Sequence, residues 1–272
     1  MDAAGLKQIA KAFIDNCEGN TISLPEGEPF ALFEAPILGY ADAEDALFAG
    51  LKAPQAIGPH FRLPGDWLPG ARTVVSFFLP FSEAVRGSNR ARRDVPSLEW
   101  HYGRVEGQAV VSALMQALVR ALTDAGHQAI APVLSPDFQT VSAPKQPGGM
   151  AFTSNWSERH VAFICGLGTF GLSKGIITQR GMAGRLGSVV TDWETQPTRR
   201  RYTALYERCI RCGACVRRCP GGAITLAGGK DHAKCLAFQQ TIVAQCAPRY
   251  GCGFCQTGVP CEHADPTAQR HT

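Results

Sequence analysis

Nine cysteines crowd the stretch from Cys209 to Cys261, whereas only Cys17 and Cys165 come earlier. The densest run reads Cys209-Ile-Arg-Cys212-Gly-Ala-Cys215-Val-Arg-Arg-Cys219-Pro220, a C-x2-C-x2-C-x3-C-P spacing. Three thiolates at i, i+3 and i+6 on a tight loop wrap one face of an iron–sulfur cube, and the fourth cysteine of such a run ligates a second cube. Gly213 lets the backbone approach closely and adopt unusual dihedral angles. Pro220 ends the loop and suits the first turn of a helix. Structural zinc sites use two C-x2-C pairs with a long spacer. A triple run closed by Cys-Pro does not match them, so iron–sulfur is the expected chemistry.

A cube needs four thiolates, and the downstream cysteines supply the rest. Cys252-Gly-Phe-Cys255 is a second C-x2-C pair, and Cys261 follows at a longer interval. The expected ligand sets are Cys209, Cys212, Cys215 and Cys261 for one [4Fe-4S] cluster, and Cys219, Cys235, Cys252 and Cys255 for the other. Cys246 is left over and can replace Cys235 or Cys261.

These ligands need elements to position them. The chain has 272 residues, 45% hydrophobic and 18% charged, values ordinary for a folded globular protein, which exclude a disordered or collagenous one. A net charge of +4, from 27 Lys and Arg against 23 Asp and Glu, is too small to mark a nucleic-acid protein. Met1 to Lys7 lacks a basic segment followed by an apolar run, and no stretch has the length of a membrane helix. A cytoplasmic protein with no membrane partner is therefore expected. The pattern predicts a helix within 1–20, strands at 35–40, 73–79, 128–133 and 187–191, and helices at 105–125 and 157–165. Ser157 or Ser154 is the expected cap of the last helix. Residues 135–150, rich in Pro, Gly and Ser, form a loop of functional length. The expected organisation is an α/β (α+β) layered domain over 1–200 and a ferredoxin-like double-cluster domain over 201–272. The second is too poor in large apolar side chains to fold without its metal.

Upstream of the cysteines, Leu68-Pro69-Gly70-Ala71-Arg72-Thr73-Val74-Val75 resembles the "LPGARSVI" segment of the epoxyqueuosine reductase family. Glu158-Arg159 followed by Cys165-Gly166-Leu167-Gly168-Thr169-Phe170-Gly171 resembles its "ER…AGLGWIGK" segment. Leu186 to Asp192 resembles the strand before its ferredoxin module. The similarity to this family and its relatives, the reductive dehalogenases, spans roughly residues 60 to 261. It implies a nitroreductase-like domain that binds a corrinoid (cobalamin), or less readily a flavin, fed by two [4Fe-4S] clusters. Ser154, Arg159, Gly166, Leu167, Gly168 and Gly171 are the implied cofactor-binding residues. A low-potential donor of ferredoxin or flavodoxin type, a small or nucleoside-like substrate, and tRNA are the implied partners. A non-catalytic electron carrier serving a partner enzyme is the alternative.

Three departures stand against the family pattern. The acidic proton donor of a "DSAP" motif falls, counting back from Glu158, at Phe152, where no carboxylate stands. Only eleven residues follow Cys261, so the family's helical-repeat extension is expected to be lacking. Pro260 precedes the last cysteine instead of following it. A divergent relative with a different substrate is the expectation. Cys165 and Cys17 read as small buried hydrophobes, His160 as a hydrogen-bonded residue or a proton donor, and His101 and Tyr102 as residues that can reach a pocket. The arginines at 180–218, with Arg86, Arg90, Arg92 and Arg93, read as a solvated face, a phosphate contact or a donor-docking surface.

Overall fold

The computed structural model describes residues 1–24, 27–142 and 152–268. The expected 135–150 loop therefore lies partly outside the described residues. Asp2 caps the first helix, α1 (Ala3–Asn16), by accepting from Gly5 N at 2.7 Å. Its Leu6, Ala10 and Ile14 are buried on one face. Strand β1 (Ile37–Asp42) leads to β2 (Thr73–Pro80), every residue of which is buried. A strand buried on both faces reads as a continuous apolar run rather than an alternation, which is how Thr73 to Pro80 reads.

Helices α2 (Glu83–Arg90), α3 (Leu98–Arg104) and α4 (Gly107–Asp124) follow. The buried stripe of α4 contains Val110, Leu114, Leu118 and Leu122, joined by Val111 and Met115. Then come β3 (Ala129–Ile130), α5 (Glu158–Ile164), the hairpin β4 (Gly168–Phe170) and β5 (Ile176–Thr178), and β6 (Gly184–Thr191). The sheet runs β1-β2-β6-β3, each pair antiparallel, with Thr73 opposite both Asp42 and Thr191. The antiparallel pairing makes this an α+β layering. Val75, Phe77 and Leu79 face α1 and α4, whereas Val74 and Phe78 face α5 and the aromatic residues Phe48, Phe61 and Trp156.

The cysteine-bearing segment is stitched to this core. Its longest element is α6 (His232–Cys246), capped by Asp231. Glu262, almost fully buried, accepts from Arg90 at 2.5 Å and from Gly258 N at 2.6 Å. Arg218 donates to the carbonyls of Asn89 and Arg90, and Asn89 donates to Thr257 at 3.0 Å. Gly253, with φ of 67°, packs so closely on Trp100 that a Cβ would lie 2.0 Å from the indole. Among the described residues no helix is long and apolar enough to cross a membrane.

Candidate functional site

Gly213 adopts the left-handed conformation (φ 71°) just before the short helix Ala214–Arg217, turning the Cys209–Cys215 loop back on itself. Cys209, Cys212, Cys215 and Cys261 then line one cavity with Gly171, Ile177 and Val259, enclosing about 360 Å³ of space without protein atoms, open solvent included. Cys212 is the exposed thiol of that group. The other thiols gather separately. Burial, then the charges of Cys255, Cys235 and Cys219, push Cys252 up to about 12. In the first group, burial and then Cys215, Cys209 and Cys212 push Cys261 to about 12. Burial, then Cys255, Cys209 and Cys212, push Cys215 to about 11, so the two groups adjoin at Cys215 and Cys255. Thiols held this far up keep their protons until a metal displaces them, so ligation and proton release are coupled.

One cavity thus brings together Cys209, Cys212, Cys215 and Cys261, and Cys255, Cys235 and Cys219 are charged neighbours of Cys252. Cys246 joins neither: eleven residues beyond Cys235 on the same helix, it stands roughly 16 Å along the axis from it. Among the described residues no three His, Cys, Asp or Glu side chains converge tightly enough to grip one ion. The first four thiols surround a cavity rather than a point, and an apolar cavity walled by four thiols fits an iron–sulfur cube.

The residues implied for a corrinoid are placed differently from one another. Arg159 is exposed to solvent, with Cys255 and Cys235 among its charged neighbours. The glycines are taken up by the chain itself. A Cβ on Gly168 would meet the Ile177 carbonyl at 2.1 Å, and one on Gly166 would meet Thr198 at 2.9 Å. Leu167 is buried, its carbonyl accepts from Arg208 at 3.0 Å, and Thr169 accepts from Arg208 N at 2.9 Å. Gly171 borders the first thiol cavity, and Ser154 donates to the Trp156 carbonyl at 2.5 Å. The Gly-Leu-Gly loop thus seats the residue before Cys209, and the expected glycine wall does not face open space. The close approach that these glycines allow is to protein backbone.

Several other expectations take physical form. Ser157 precedes α5 but does not cap it; its hydroxyl lies 2.8 Å from His160 Nδ1 instead. Burial, then Arg159, push His160 down to about 4, so its ring is neutral near pH 7 and is a weak general acid. Cys165 is fully buried and pushed well above the ordinary thiol range by burial, an inert hydrophobe. Cys17 packs against the first core. His101 is buried, and Tyr102 lies under Arg249 at 4.0 Å. Phe152 is exposed. Glu158 is turned inward, and burial pushes it up to about 7. Ser188, already accepting from Trp156 Nε1 at 2.9 Å, opposes that shift without closing a well-formed hydrogen bond.

Much of the arginine bias is internal. Arg86 and Arg180 meet Glu34, Arg200 meets Asp45 at 2.5 Å, and Arg208 meets Asp265 at 2.9 Å. Sequence reasoning did not single out Arg104, which lies over the Tyr250 ring at 4.9 Å.

A layered α+β core carrying two four-thiol groups defines an iron–sulfur protein with a ferredoxin-like segment. The 4Fe-4S binding domain family matches residues 203–225. A curated epoxyqueuosine reductase from Bacillus cereus is 26% identical over 206 residues, covering 71% of this chain and 49% of the relative. The chain thus spans about half that relative's length. The solved epoxyqueuosine reductase from Streptococcus thermophilus gives a TM-score of 0.53 at 17% identity, over 97% of this chain and 68% of that one. The catabolic reductive dehalogenase NpRdhA, in complex with 3-bromo-4-hydroxybenzoic acid, gives 0.56 at 14% identity, over 86% and 31%. The chain is a divergent epoxyqueuosine reductase-like iron–sulfur protein.

Proposed function

We propose that the chain is an iron–sulfur reductase in which residues 201–272 hold two [4Fe-4S] clusters and residues 1–200 form the acceptor side. Clusters so held supply one-electron relays. The observation that supports the proposal is the cavity walled by Cys209, Cys212, Cys215 and Cys261, which reaches the surface at Cys212, with Cys219, Cys235 and Cys255 as the charged neighbours of Cys252. That opening favours docking of a low-potential, acidic donor at the Cys212 face, where Arg211 and Arg217 are exposed. On the acceptor side a corrinoid, or less readily a flavin, would supply the hard chemistry, while the protein contributes binding and electrostatics. Arg159 is the residue available to hold it. The acid absent at Phe152 and the neutral ring of His160 favour a small or nucleoside-like substrate other than epoxyqueuosine.

Anaerobic reconstitution with iron and sulfide tests this. About eight irons per chain are expected, with about half lost in Cys212→Ala and in Cys235→Ala and none lost in Cys246→Ala. Added cobalamin is expected to co-elute with a shifted visible spectrum. Unchanged iron in Cys212→Ala would refute the ligand sets. Full iron without retention of corrinoid or flavin would leave an electron carrier serving a partner.

A further inference from the structure

A second cavity contains no thiol. It is walled by His60, Arg62, Asp137, Gln139, Val141 and Asn155 and encloses about 560 Å³ of space without protein atoms, open solvent included. Small-molecule sites commonly enclose about 300–1,000 Å³.

Hydrogen bonds from Asn155 build the wall. Its buried side chain is used up within the chain: Oδ1 accepts from Gln139 N at 3.0 Å, and Nδ2 donates to the Asp137 carbonyl at 2.9 Å. Its backbone N–H donates to the Gln139 carbonyl and its carbonyl accepts from Arg62 N, both at 3.0 Å. Thr140–Ser142 pairs antiparallel with Phe152–Ser154, Val141 opposite Thr153 and Ser142 opposite Phe152. Side chains alternate along a strand, so Gln139 and Val141 share the face opposite to that of Phe152 and Ser154. The cavity thus lies behind the strand pair that carries Phe152.

The wall leaves a particular set of groups unpaired. Arg62 meets Asp137 at 3.1 Å through Nη1, donates through Nη2 to the Asp66 carbonyl, and lies over the Trp67 ring at 4.3 Å. Both arms of the guanidinium fork are therefore taken, and the two opposite charges cancel. A carboxylate or phosphate, which that fork would otherwise grip in pairs, finds no free partner. Gln139 is exposed, and its carboxamide makes no hydrogen bond among the described residues. His60 Nε2 is shut off from solvent without a partner. A carboxamide sets a donor and an acceptor side by side. The uncharged group that answers both in one plane is another amide, its N–H to the Gln139 oxygen and its oxygen to the Gln139 N–H. Val141 offers an apolar contact to the rest of a flat molecule.

We propose that this cavity binds a small, uncharged molecule by a carboxamide, lactam or imide edge paired with the Gln139 carboxamide. The inference does not rest on the redox reading, because no residue of the cavity is a cluster ligand or an implied cofactor residue.

Calorimetric titration of the full chain, anaerobically reconstituted and without reductant, tests it. Nicotinamide is the probe, nicotinate its anionic counterpart and benzamidine its cationic one. Saturable one-site binding of nicotinamide in the millimolar range is expected for a fragment of this size. Gln139→Leu is expected to weaken it about tenfold, the worth of two neutral hydrogen bonds, while Arg120→Gln on the exposed side of α4 binds as wild type. Gln139→Glu is expected to lose nicotinamide and to gain benzamidine, whose amidinium pairs with a carboxylate through two parallel bonds. Gln139 is exposed, so both variants are expected to keep the wild-type melting temperature. Iron content read on the same samples tells a failure of the ligand sets from a failure of this site. Absence of saturable nicotinamide binding would overturn the proposal, as would binding left intact by Gln139→Leu. Nicotinate bound as tightly as nicotinamide would also overturn it, because Arg62 would then be opening from Asp137 to take an anion.

Discussion

Glu158 shows how position alone sets a side chain's chemistry. It precedes Arg159 in sequence, but the Glu158 carboxylate is buried beneath α5 whereas Arg159 is exposed. Burial raises the folded-state pKa of Glu158 from the ordinary 4.5 to about 7. The unfolded chain releases this proton first, so the contribution to stability is complete below about 4.5 and is lost as pH rises through about 7. Glu158→Gln is expected to remove that slope and to stabilise the protein at pH 8 by on the order of 2–3 kcal/mol. Anaerobic calorimetry of both proteins from pH 5 to pH 8 checks this, and parallel slopes would count against it. The same pair marks what was legible. The Cys209–Cys219 spacing names its chemistry from sequence alone, because ligation constrains neighbours along the chain. The partners of Arg86, Arg200 and Arg208 do not show there, because an arginine's carboxylate is chosen by the fold.

At the scale of elements, the cluster segment depends on the core for its docking surface. The loop that carries Cys252 and Cys255 rests on Trp100 of α3 through Gly253, where a side chain has no room and φ is positive. Gly253→Ala is therefore expected to lift this loop, cost about 2–3 kcal/mol through strain and lost packing, and reduce iron in the second group more than in the first. Mössbauer or iron analysis after reconstitution reads the difference; full iron with an unchanged melting temperature would mean that the loop is not seated this way. The sheet was only partly legible. Each strand announced itself through apolar runs, but β1-β2-β6-β3 joins strands distant in sequence, and an order of that kind is decided by burial on both faces of β2. The Gly166–Gly168 turn was the misleading signal: glycine marks a close approach, and the approaching group is Ile177 or Thr198 rather than a cofactor.

Across the whole molecule, the two thiol groups differ in shelter. The first opens to solvent at Cys212, whereas Cys219, Cys235, Cys252 and Cys255 are all half-buried. Mild anaerobic oxidation with ferricyanide, or slow admission of oxygen, is expected to bleach the first cluster several-fold faster than the second, followed by paired EPR and absorbance. Equal rates would show that the shelter does not govern access. The position of Cys261 has a consequence for synthesis. It stands with Cys209, Cys212 and Cys215 around one cavity, and its carbonyl accepts from Met182 N at 2.9 Å beside β6. The strands of the sheet are all translated by Thr191, so the core can assemble on the ribosome while the fourth wall of the first cavity has not yet been made. A chain released before Cys261 presents three thiols to iron. Completion of that cavity therefore reports that translation has run past this residue, and an interrupted product is left metal-poor and open to degradation.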